Sequence, residues 1–308
     1  MRHQKKRWFA ALLSLCMLLS ILPSTSIAFS ESEETWSGNR RKQTIDGGTH
    51  TITLSNLTID SPGVEKSAID ITGNADVTFI LEGNNTLRGY RNHPAIWVES
   101  GSSVTFEGNG LLEASAGGAS IGLGAAGIGG GYGASSNFGN ITINGGTIIA
   151  RGSGGGAGIG GGYEVGSGTV TGNVTINGGY VTAIGGSSGS TGGAGIGSGE
   201  NANYSGTVTI NGGVVYAEGG ADSTSIGSGN RAIGTSDNGA FTTGTGGNAV
   251  IVAPDGIGDP SGFADWDGIF ISYEGNNTSA TVGEDGTVHL NDTEANIQVW
   301  GEPVIDYP

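Results

Sequence analysis

Gly156, Gly158 and Gly161 stand in the spacing G-x-G-x-x-G within "GGGAGIGGGY", Gly154 to Tyr163, the spacing that wraps a dinucleotide pyrophosphate. That chemistry needs a strand before the glycines, a helix after them whose N-terminus receives the phosphate, and an acidic residue about 20 positions on. Here the pattern recurs at Gly127, Gly158 and Gly195, and no amphipathic helical period follows any copy. A phosphate cradle is excluded. A calcium-binding β-roll is excluded as well, because these copies carry glycine where a G-G-x-G-x-D nonapeptide places its aspartate.

Other residues could do chemistry. Asp255, Asp259, Asp265 and Asp267 crowd "PDGIGDPSGFADWDG", 254–268, and are weak candidates for calcium ligands, since they lack the fixed spacing of an EF-hand loop. Acidic turns account for them more simply. Glycoside hydrolysis needs two carboxylates at a set separation, and the Asn-Thr-Asp, Asp-Asp, Gly-His-Gly and Arg-x-Lys set of pectin hydrolases is missing; "NDT" at 291–293 is a scrambled fragment. A lyase needs a Lys or Arg base beside a calcium–carboxylate cluster. Beyond the first 28 residues the lysines are Lys42 and Lys66, and Arg88, Arg91 and Arg151 have no aspartate cluster beside them in sequence. His50, His93 and His289 sit in no motif. A polysaccharide lyase or hydrolase is the minority expectation, and no catalytic residue is assigned.

The start of the chain bears on where any of this happens. Arg2, Lys5, Lys6 and Arg7 precede an apolar run from Trp8 to Leu22, and Ser26-Ile27-Ala28 suits signal-peptidase cleavage after Ala28. Residues 1–28 are expected to be a secretion signal, too short and wrongly flanked for a permanent span. The one cysteine, Cys16, lies inside it, so the mature chain has no disulfide and no thiol chemistry. Eight basic residues then face 28 acidic ones, a net charge of −20, which makes nucleic acid and anionic membrane poor partners.

Elements that could position a site emerge as repeats. Ile69, Ile96, Ile128, Ile159, Ile196 and Ile226 recur at spacings of 27, 32, 31, 37 and 30. Thr53, Thr78, Thr105, Thr142, Thr175 and Thr209 centre a second set of triplets. "TIIA", "YVTA" and "VVYA" form a third, with Leu87 and Leu112 as earlier counterparts. The order recurs, so one repeat is one circuit of three short strands, each alternating inward and outward. Circuits stacked in register place Ile143 over Ile176 over Ile210 at ~4.8 Å. Asn144, Asn177 and Asn211 fall at one corner and predict an asparagine ladder. Residues 29–44 are expected to be a flexible lead-in or N-terminal cap, 45–253 the β-helix, and 254–308 an acidic loop with a small C-terminal β cap, from "GIFISYEG", "TVHL" and "NIQVW".

If Ile96 points inward, Trp97 points outward, and in later circuits the same place is held by Gly129, Gly160, Gly197 and Gly227. Two expectations compete. One is a shallow groove of bare backbone for an extended polysaccharide, with Trp97, Tyr132 and Tyr163 as platforms, since aromatic faces suit the apolar face of a sugar ring. The other is that the glycines let a loop or a neighbouring subunit pack closely, as in a structural or adhesive surface protein with a protein partner or self-association. The outward row Ile149, Thr182, Tyr216, with Arg151, Ile184 and Glu218 two residues on, is ordinary mixed surface. Thr142, Thr175 and Thr209 form a column like those of ice-binding solenoids, although such proteins resemble a broad threonine grid and asparagine flanks the column here.

"NNTLRGYRNHPAIWVESGSSVTFEGNGLLEASAGG", "AGIGGGY" and "NITINGGTIIARG" resemble a family of secreted bacterial surface proteins described as carbohydrate-binding, over about residues 45–253. The resemblance implies an all-β, right-handed parallel β-helix of pectate-lyase-like architecture that holds polysaccharide without cleaving it. It also implies calcium as a companion ion, without placing it.

Overall fold

A computed structural model describes residues 34–60, 67–118, 123–133, 136–166, 168–230, 238–243, 249–255, 257, 269–271, 280–282 and 288–290. The leader, Lys66, Asp259, Asp265, Asp267 and "NIQVW" therefore lie outside the described residues.

The described chain is all-β with almost no helix, and its two large sheets are parallel. A seven-stranded sheet runs from Gln43–Asp46 through Ile69–Thr72, Ile96–Val98, Ile128–Gly129, Ile159–Gly160 and Ile196–Gly197 to Ile226–Gly227. A 16-stranded sheet is curled into two arms. Its bend is seen in Thr49–Asp60, whose first half pairs with Asp76–Glu82 and whose second half pairs with Asn84–Arg88. Each circuit thus adds one strand to the smaller sheet and one to each arm, as Ile96–Val98, Ser103–Gly108 and Leu111–Ser115 do.

Register makes the core. Ile69, Ile96, Ile128, Ile159, Ile196 and Ile226 stand directly over one another and are at most 1% exposed. Phe79, Phe106, Ile143, Ile176 and Ile210 form a second column, and Leu112, Ile148, Val181, Val215 and Ile251 a third. Each buried aliphatic contributes about 1.5–3 kcal/mol, so two inward residues per short strand suffice when three strands share one interior.

Two register details differ from the sequence expectation. Thr51, not Thr53, stands beside Thr78, and Leu87 stands beside Ala114 instead of Leu112. The place beside Leu112 belongs to Asn85, which is fully buried. Its Oδ1 accepts from Leu57 N–H at 2.9 Å, and its Nδ2 donates to the Glu82 and Leu111 carbonyls at 3.1 Å each. The buried amide thus ties together three backbone groups where the chain passes between the arms.

Strand Glu34–Asn39 lies parallel to Thr49–Asp60 at the first end and buries Trp36 against Phe79, ring centroids 6.2 Å apart. Near the other end, Ile269–Ile271 pairs with Val250–Val252 as one more parallel rung. Ala280–Val282 and Val288–Leu290 form an antiparallel pair.

Candidate functional site

The outer column of the seven-stranded sheet reads Thr44, Asp70, Trp97, Gly129, Gly160, Gly197, Gly227, each residue in register with the next. Trp97 is half-buried between the inward, fully buried Ile96 and Val98, so the indole faces outward as alternation requires. Beside it, Asp70 is 7% exposed, and its Oδ2 forms an ion pair with Lys42. The other carboxylate oxygen, Oδ1, is buried and has no hydrogen-bond partner; neither has Trp97 Nε1–H. An unmatched acceptor and an unmatched donor thus occupy adjacent rungs of one column. Leaving such groups buried and unpaired costs about 1–3 kcal/mol each.

The glycines do not extend this place into an open groove. Gly129, Gly160, Gly197 and Gly227 are all buried, with φ of +127°, +133°, +138° and +132°. A Cβ on Gly129 would sit 2.1 Å from Gly160 O, one on Gly160 1.9 Å from Gly197 O, and one on Gly197 1.8 Å from Gly227 O. Those carbonyls lean into the side-chain space because the next N–H groups hold them: Gly130 to Gly160 O at 2.7 Å, Gly161 to Gly197 O at 2.8 Å, Ser198 to Gly227 O at 3.0 Å. Glycine is required here by the stack's own backbone, without reference to any ligand. The bare flank expected at Gly129, Gly160 and Gly197 is corrected to a closed one.

Tyr132 and Tyr163 are half-buried and stack on each other, centroids 5.7 Å apart and planes 21° from parallel. Each ring spends one face on its neighbour, so a ligand along this flank meets an edge or the remaining face. Tyr163 Oη accepts from Asn201 Nδ2 at 2.9 Å. One circuit on, the place of the tyrosines is taken by Glu200, as the N–H bonds from Gly133 to Tyr163 O and from Glu164 to Glu200 O show. Glu200 is 4% exposed with Oε2 unpartnered, and this oxygen and the Tyr163 ring converge over Gly155. The tyrosines follow the glycine column by three residues and form a column of their own, separate from that of Trp97.

Asp70 was legible in the sequence without being picked out: in "SAIDI" it holds the place of Trp97 in "PAIWV". Lys42, Asn201 and Glu200 carry no motif and needed the register.

Asp255, the described member of the acidic loop, is taken up by the chain itself. Its Oδ2 accepts from Gly219 N–H at 2.9 Å, and its own N–H donates to Ser225 Oγ at 2.9 Å. Although the residue as a whole is exposed, packing of the carboxyl against the preceding circuit raises its pKa above the ordinary value, and the charge of Glu218 adds to this. Among the described residues no three His, Cys, Asp or Glu side chains gather as a metal site would need, and no helix is long and apolar enough to cross a membrane. Comparison with protein-family models, curated proteins and solved structures found no match.

Proposed function

We propose that this is an exported, non-catalytic carbohydrate-binding protein, built as a right-handed parallel β-helix, that holds a polysaccharide at Trp97 and Asp70. The right hand is supported by the strong preference of parallel strand crossovers within a sheet for that hand. One observation carries the binding proposal: the buried Trp97 N–H and Asp70 Oδ1, both unpartnered, on adjacent rungs. A sugar hydroxyl is donor and acceptor at once. Entering beside the half-buried indole, it would accept from Nε1–H and donate to Oδ1, while the apolar face of the ring lies on the indole. Lys42 holds Asp70 in place through its Oδ2.

The stacked Tyr132–Tyr163 edge, with Asn201 fixing the Tyr163 hydroxyl, is a second contact for a longer chain. The test is retention of the mature protein on insoluble glucans and on polygalacturonate, with and without calcium, followed by a glycan array. Retention that falls at least tenfold in Trp97→Ala supports the proposal. Absence of retention on every polymer, or equal retention of the variant, removes it.

A further inference from the structure

Thr51, Thr78, Thr105, Thr142, Thr175, Thr209 and Thr242 occupy seven consecutive strands of one arm of the curled sheet, each in register with the next. The first six are half-buried, and from Thr78 to Thr209 each stands between two fully or almost fully buried core residues, so they face outward. In the middle circuits they are flanked on both sides. Asn140, Asn173 and Thr207 lie two residues before the column, and Asn144, Asn177 and Asn211 two residues after it.

The flanks are ordered. Asn173 Nδ2 donates to Asn140 Oδ1 at 3.0 Å, Asn177 to Asn144 at 2.8 Å and Asn211 to Asn177 at 2.6 Å, while Asn144 donates to Glu107 Oε1 at 3.1 Å. A ladder bond uses one N–H and one oxygen lone pair of an amide, leaving a second of each for an outside partner. The nine residues of this three-by-three field are uncharged, on a chain of net charge −16. The nearest charges on the face, Asp76 and Glu107, stand in earlier circuits.

We propose that this face binds crystalline water. Its groups repeat every ~4.8 Å along the stack and every ~6.7 Å across it, on the scale of oxygen repeats in ice. Identical rungs are wasted on a single soluble chain, which meets one column. A lattice meets all three, and many weak contacts made together release slowly. The three columns hold no aromatic platform for a sugar ring and no cation for a phosphate. They hold hydroxyls, amides and threonine methyls, which position water and little else. The asparagines thus widen the threonine column into a grid.

The experiment is ice growth in a nanolitre osmometer, with adsorption of the fluorescently labelled protein to an ice surface. The protein is expected to shape ice and depress its growth. Thr175→Tyr should reduce the effect at least fivefold and Thr175→Val about twofold, while Thr182→Tyr, on the other arm, and Trp97→Ala should leave it unchanged, with far-UV spectra alike throughout. Freezing behaviour equal to that of an inert protein of the same mass overturns the proposal, as does undiminished activity in Thr175→Tyr. Retention on crystalline cellulose that Thr175→Tyr abolishes, without any effect on ice, also overturns it and gives the face to a solid glycan. Trp97→Ala separates this face from the sugar site, since each can fail alone.

Discussion

Gly160→Ala tests whether the glycine column belongs to the fold. At φ +133° an alanine enters a region that only glycine populates, a strain of about 1–3 kcal/mol. Its Cβ would also lie 1.9 Å from Gly197 O, a backbone atom that Gly161 N–H holds in place at 2.8 Å. Relieving that overlap by backbone shifts costs about 1–3 kcal/mol more. The expected loss is about 4 kcal/mol, a fall in melting temperature of about 10 °C for a domain of this size. Gly118→Ala is the control: φ there is not positive, and a Cβ would meet nothing within 4 Å, so the melt should be unchanged or slightly raised. Both are read by far-UV circular dichroism on heating. A Gly160→Ala melt equal to that of the parent would refute the internal account and reopen the column as a surface kept bare for a ligand.

Asn85→Ala should cost about 3 kcal/mol, because it removes three buried hydrogen bonds, from Leu57 N–H and to the Glu82 and Leu111 carbonyls; chemical denaturation with an unchanged midpoint would contradict this. Tyr204, fully buried against Phe138, donates its hydroxyl to Gly172 O at 2.9 Å, and burial pushes its pKa well up. Tyr204→Phe should therefore destabilise by about 1–3 kcal/mol, and no tyrosinate signal from this residue should appear before unfolding in an alkaline titration. Asp255 has its folded pKa raised above 3.8. The stability tied to its protonated form is thus complete below about pH 3.8 and lost as pH rises through the raised value. Asp255→Asn, neutral throughout and still an acceptor, should gain on the parent in thermal melts as pH is raised from about 4 to 7; a constant difference would count against the burial.

The isoleucine column and the Asn144–Asn177–Asn211 ladder were visible in the sequence because a stack repeats residue types at nearly fixed intervals. Three things were not. Alternation places Gly129, Gly160 and Gly197 on the outer side of a strand, but a letter string does not show φ, and the positive φ turns the next circuit's carbonyls into the side-chain space. The early circuits turn differently between the arms, so the fully buried Asn85 stands where later circuits carry Ile148 and Val181. The meeting of Lys42 with Asp70 and the place of Glu200 beyond Tyr163 needed the inter-strand register, which fixed spacings do not supply when corner loops vary in length.

The central claim is that Trp97 offers a ligand its N–H as well as its face, one rung from Asp70 Oδ1. Trp97→Phe keeps an aromatic face and removes the donor, so its binding to the best glycan of the array isolates that bond. The account predicts an affinity about fivefold weaker, the worth of one neutral hydrogen bond, with the far-UV spectrum unchanged. Equal affinity in the phenylalanine variant would contradict it.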